Sequence, residues 1–76
     1  MKESLEFGRV LRQLRLAAGF TQEQLGHEAG LQRNYVSLME RGVNQPTLTT
    51  LFKLAAVLNI SASEMIAEVE KSCSEY

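Results

Sequence analysis

The segment Thr21–Gly42, TQEQLGHEAGLQRNYVSLMERG, constrains the fold of this 76-residue chain more than any other. Thr21 stands where a helix wants an N-cap, its hydroxyl free to accept from an amide two or three residues on, and Gln24 completes a capping box. Leu25 and Ala29 then share one helical face, and Gly30 follows directly, where a left-handed residue ends a helix at little cost. Leu31 is the apolar residue of the turn. Val36 and Met39 recur at core spacing beyond it, and Gly42 is the next stop signal. The pattern predicts one short helix ending at Ala29 and a second from Arg33 to Arg41, joined by a glycine turn.

The flanks extend this to five helices. Phe7, Val10, Leu11, Leu14 and Ala18 keep the spacing of a buried stripe, predicting a first helix from Ser4 to Ala18 with Gly19 past its end. Arg9, Arg12 and Arg15 fall off that stripe and read as a solvated face rather than as phosphate contacts. Phe20 precedes the Thr21 cap in the manner of a hydrophobic staple on Leu25. Residues 43–46, VNQP, break the periodicity and form a loop. Thr47 caps a fourth helix, Leu48 to Leu58, whose apolar residues are too many for one face, so part of it faces a partner. Asn59 ends it. Ser61 and Glu64 form a second capping box, opening a fifth helix with Ala62, Met65, Ile66 and Val69 as its stripe.

Composition agrees. Apolar residues make up 45%, aromatic ones only 7%, and β-branched runs are almost absent, which favours a helical bundle over a sheet. The expected domain is single, with residues 1–70 as its ordered core and 71–76 as a fraying tail. A core this small gains from dimerisation. The lone Cys73 has no internal disulfide partner, and neither it nor His27 belongs to a metal-ligand cluster. No carboxylate pair, Ser/His/Asp set or phosphate-cradling glycine loop is present, so neither catalysis nor a cofactor is expected. No apolar run approaches a membrane span and residues 1–20 are unlike a signal peptide, so the reading is a soluble protein that is not exported, at home in a reducing cytoplasm.

The net charge of −1 speaks against nucleic acid, but the distribution speaks for it. Arg9, Arg12, Arg15, Arg33 and Arg41 lie in the first 41 residues, whereas Glu64, Glu68, Glu70 and Glu75 crowd the end. Across the second helix of the central pair, Arg33, Asn34 and Ser37 share a polar face. Arg33 suits guanine bidentately, Asn34 suits adenine, and Ser37 is short enough to let the helix approach. Gln32, a weak cap, is left free to reach the same surface. Gln22, first in its helix, stands where unpaired amides favour a phosphate. Tyr35 either meets DNA, at a phosphate or a thymine methyl, or packs over Leu31. Arg41 and Asn44 are placed for the flanking phosphate. Glu40, a negative outlier, has a structural role, pairing a basic neighbour or a loop amide.

These residues resemble the helix-turn-helix of the Cro/repressor (XRE-type) family of bacterial and phage transcriptional regulators. The match runs through Thr21-Gln22-Glu23, Leu25, Gly30-Leu31, Val36-Ser37, Glu40-Arg41-Gly42, Pro46-Thr47-Leu48 and Leu51-x-x-Leu54-Ala55, almost the whole chain. The Arg33–Ser37 run is most similar to the small controller proteins of restriction-modification systems. Two positions depart from the family pattern: Gly26, where Ala is usual, and Gln32, where Ser, Thr or Asp is. Gly26 is expected to pack as closely as Ala at a cost of roughly 1 kcal/mol in helix propensity.

The resemblance implies an all-α, lambda-repressor-like bundle with its helix-turn-helix at 21–42. It implies base reading by Arg33, Asn34, Ser37 and Gln32, and backbone contacts from Gln22, Tyr35, Arg41 and Asn44. The partner is double-stranded operator DNA, entered at the major groove. One recognition helix reads few base pairs, so a homodimer on a palindrome with half-sites roughly 34 Å apart is expected. Its interface is assigned to Phe52, Ala56, Ile60 and Met65. RNA polymerase is a further candidate partner, and the setting is the cytoplasm of a bacterial or phage-infected cell. The competing reading is a protein-binding adaptor or antitoxin-like module that uses the helix-turn-helix as scaffold.

Overall fold

A computed structural model describes residues 2–74. Those residues form five α-helices: α1 (Lys2–Ala17), α2 (Gln22–Ala29), α3 (Arg33–Glu40), α4 (Leu48–Val57) and α5 (Ala62–Cys73). The expected all-α architecture and each of the five helices are present, with boundaries shifted by a few residues.

Local chemistry sets both ends of the elements. Thr21, Thr47 and Ser61 accept from the amides of Gln24, Thr50 and Glu64, and the reciprocal bonds of a full capping box are made at Thr21 and Ser61. Gln32 makes no side-chain cap. The first four helices all stop by crossed backbone bonds of the Schellman type: Phe20 to Arg15, Leu31 to Gly26, Val43 to Leu38 and Ile60 to Ala55. That arrangement needs a left-handed residue, supplied by glycine three times and after α4 by Asn59, at φ 58°. Ala18 lies beyond the end of α1 and is exposed, so it is not part of the stripe expected of it. Helix α5 continues through Cys73 and so takes in Lys71, Ser72 and Cys73 of the expected tail, and Glu75 and Tyr76 lie outside the described residues.

The core lies where α1 packs on α3 and α5, α2 on α3 and α4, and α4 on α5. Leu11, Leu25, Val36, Met39, Leu54 and Met65 are fully enclosed, with Phe7, Val10, Leu51 and Val69 around them. Complete burial of Met65 within one protomer removes it from the interface assigned to it, because no atom of it is left to touch a second copy.

Two glycines set how closely helices approach. A Cβ at Gly8 on α1 would fall on the carbonyl oxygens of Met39 (2.6 Å) and Glu40 at the end of α3. A Cβ at Gly26 would lie 2.7 Å from the carbonyl oxygen of Leu31. Gly26 is therefore not interchangeable with alanine as expected, since the obstacle is backbone rather than a movable side chain.

Candidate nucleic-acid interface

The start of α2 is fixed from three directions. Its own capping box holds Thr21, and Arg15 on α1 donates from Nη1 to the carbonyl oxygen of Phe20 at 2.9 Å. The same guanidinium grips Glu40 at the end of α3, Nε to Oε2 at 2.6 Å and Nη2 to Oε1 at 3.1 Å. Gln22 then donates from Nε2 to Glu40 Oε1, also at 3.1 Å. Glu40 thus has the structural role expected of it, with Arg15 as its basic neighbour.

Arg15 departs from the solvated face expected of it. It is buried and ion-paired, not part of a solvated face, and its guanidinium is held charged beyond the ordinary arginine range because its hydrogen bond to Glu40 outweighs the cost of burial. Arg9 sits beside Glu6 at 3.4 Å, so two of the five arginines counted toward a positive end are offset by carboxylates. The exposed arginines of that half are Arg12, Arg33 and Arg41, with Arg9 at the rim of its pair.

Helix α3 turns Val36 and Met39 fully inward. Gln32, Arg33 and Asn34 are exposed on the other side, and Ser37, one turn along, is half-buried. Arg33 lines a shallow crevice with Thr21, Gln22 and Glu23, so the start of α2 and the start of α3 open onto one surface. Tyr35 packs its ring against the edge of the core, as Leu31 does, and its hydroxyl donates to the Gln45 carbonyl oxygen over a long 3.5 Å. Of the alternatives left open for Tyr35, packing accounts for the ring. Arg41 and Asn44 follow α3 and are exposed. Seven of the eight residues predicted to meet DNA therefore lie along α3 and the segments at its two ends, and Gln22 joins them from the start of α2. Sequence reasoning missed how Gln22, Glu40 and Arg15 join. Glu40's sign was the one available signal, and its partner is 25 residues away.

A second surface lies on α4. Leu48 (71% exposed), Phe52 (59%) and Ala56 recur at every fourth residue as an open apolar stripe. Ile66 of α5 is also exposed and shares with Leu48 a shallow apolar depression lined by Phe7, Leu51 and Val69. Phe52 and Ala56, expected at a dimer interface, are exposed on this surface, and Ile60 is half-buried against the core. Leu48 and Ile66 belong with the stripe and were not assigned to it; the four-residue offset of Leu48 from Phe52 and the placement of Ile66 beside Met65 were the usable signals. His27 is exposed on α2. No single helix among the described residues is long and apolar enough to cross a membrane.

Comparison with known proteins shows where this geometry recurs. The family model described as helix-turn-helix matches residues 11–65. The HTH-type transcriptional regulator y4dJ of Sinorhizobium fredii is 34% identical over 65 residues, covering 86% of this chain and 84% of that protein. The crystal structure of the restriction-modification controller protein C.AhdI from Aeromonas hydrophila superimposes with a TM-score of 0.83 at 40% identity, over 86% of this chain and 98% of that one. The structure of SinR, a master regulator of biofilm formation, in complex with DNA gives a TM-score of 0.75 at 30% identity, over 79% of this chain and 97% of that one. The lambda-repressor-like fold is therefore shared with regulators of this kind.

Proposed function

Since the chain belongs to the Cro/C1-type (XRE) helix-turn-helix family, we propose that it is a transcriptional regulator that binds specific double-stranded DNA as a homodimer on a palindromic operator. The observation that carries this reading is α3. Its inner face is locked by Val36 and Met39, while Gln32, Arg33 and Asn34 stand in solvent beside the capped start of α2. A short rigid helix with polar side chains outward, set beyond a tight turn, is the form that enters a major groove.

Arg33, Asn34, Ser37 and Gln32 read bases in this proposal, and Gln22, Arg41 and Asn44 hold the sugar-phosphate backbone. Tyr35 keeps its ring packed and turns its hydroxyl from the long bond to Gln45 toward a phosphate. The stripe Leu48–Phe52–Ala56, with Ile66 and the rim of Ile60, is the surface on which two copies meet. Similarity to C.AhdI supports control of a restriction-modification locus as the biological role. A regulator on such an operator works in the cytoplasm beside the promoter, which makes RNA polymerase its second macromolecular partner.

Selection of bound duplexes from a randomised pool, with Arg33→Ala in parallel, tests the reading. The wild type is expected to enrich an inverted repeat. Arg33→Ala should lose about 1–3 kcal/mol on that sequence and relax preference at one position of each half-site. Equal losses on selected and random duplexes would remove Arg33 from base reading. No enrichment by the wild type would refute the regulator and turn attention to the adaptor reading.

A further inference from the structure

We propose that Glu40, held by Arg15, is a positioning residue that orients the Gln22 carboxamide for its contact with the DNA backbone. The inference rests on the DNA-binding reading above and adds to it a part for two residues that need not touch DNA. A primary amide can face a neighbour with either its oxygen or its nitrogen. Glu40 removes that choice, because an ionised carboxylate only accepts, and the Gln22 nitrogen is the atom at 3.1 Å from Oε1. One N–H is then committed to Glu40, and the second, on the same nitrogen, remains for an incoming phosphate oxygen.

Arg15 makes the arrangement compatible with an anion. The Glu40 side chain is 3% exposed and that of Arg15 9%, so the pair is shielded from water and its charges act at short range. A bare carboxylate beneath Gln22 would repel the phosphate that α2's free amides attract. Two guanidinium nitrogens on the two carboxylate oxygens cancel that charge. The third guanidinium contact, to the Phe20 carbonyl oxygen, fixes the residue before the α2 cap, so the frame holding Glu40 also holds the helix that carries Gln22. Packing alone gives no reason for the pair, since a buried ion pair is often matched in stability by apolar side chains of similar size.

The test is a double-mutant cycle on a duplex of random sequence at fixed salt, so that base reading does not enter. Gln22→Ala is measured in the wild type and in a background carrying Arg15→Met with Glu40→Leu, each checked for folding by thermal melting. A lost hydrogen bond to a charged group corresponds to about a tenfold loss or more in affinity, expected in the wild type and reduced to under about twofold in the apolar background. The same loss in both backgrounds would overturn the positioning role, as would no loss in the wild type. Failure of the wild type to bind any duplex would instead defeat the DNA-binding reading itself. If the apolar background does not fold, the unsubstituted protein decides. The Gln22 side-chain amide protons of an isotope-labelled sample should exchange slowly with solvent before DNA is added, and exchange as fast as that of an exposed glutamine would overturn the proposal.

Discussion

Replacing Gly8 by alanine sets helix propensity against packing, and the two forecast opposite signs. Within α1 alanine is the better helix former, and propensity alone predicts a gain of about 0.5–1 kcal/mol. The added Cβ would lie 2.6 Å from the Met39 oxygen, which would have to retreat by about 0.8 Å to reach the 3.4 Å at which ordinary contact begins. That oxygen accepts from Gly42 at 3.1 Å in the bond that ends α3, and the Glu40 carbonyl beside it is closer still to the new atom. Overpacking of this kind costs about 1–3 kcal/mol, and the upper half applies where both obstacles are backbone. The expected net loss is about 1–2.5 kcal/mol, or a Tm lower by about 4–20 °C in a domain this small. Circular dichroism melts at equal protomer concentration measure it, with Gln13→Ala and Gln13→Gly at an exposed site of the same helix as the propensity reference. Gly8→Ala melting at or above the wild-type temperature would refute the close approach of α1 to α3.

Two further outcomes follow from the same geometry. Phe52→Lys, on the open stripe, should leave folding within about 0.5 kcal/mol while converting the protein from dimer to monomer in sedimentation equilibrium; equal masses for wild type and variant would dismiss this stripe as the interface. Thr21→Ala removes the α2 capping box and should cost about 0.5–2 kcal/mol in urea unfolding, and an unchanged midpoint would mean that the cap is redundant with the Arg15 bond to Phe20.

Helix limits were legible because what makes them is local. The hydroxyls of Thr21, Thr47 and Ser61 and the left-handed positions at Gly30, Gly42 and Asn59 act within a few residues of themselves. The outward face of α3 was legible for the same reason, since Val36 and Met39 fix which side is left. Met65 was misplaced because α4 and α5 carry more apolar residues than one face holds, and periodicity does not say which surplus turns inward. Arg15 was read as solvated because a buried charge depends on its partner, and Glu40 is distant in sequence. Gly8 drew no notice at all, because its contribution is an atom it lacks.

The separation of the two faces of α3 bears on how such a protein acquires a new target. Val36 and Met39 carry the helix's share of the core, and Gly8 fixes its distance from α1 through backbone alone. Gln32, Arg33 and Asn34 carry almost none of that load, and exchanges at exposed positions of this kind shift stability by no more than about 0.5 kcal/mol. On the proposed reading, lineages can therefore drift through many recognition surfaces on an unchanged scaffold, and a designer can graft a new reading face without rebuilding what lies beneath it.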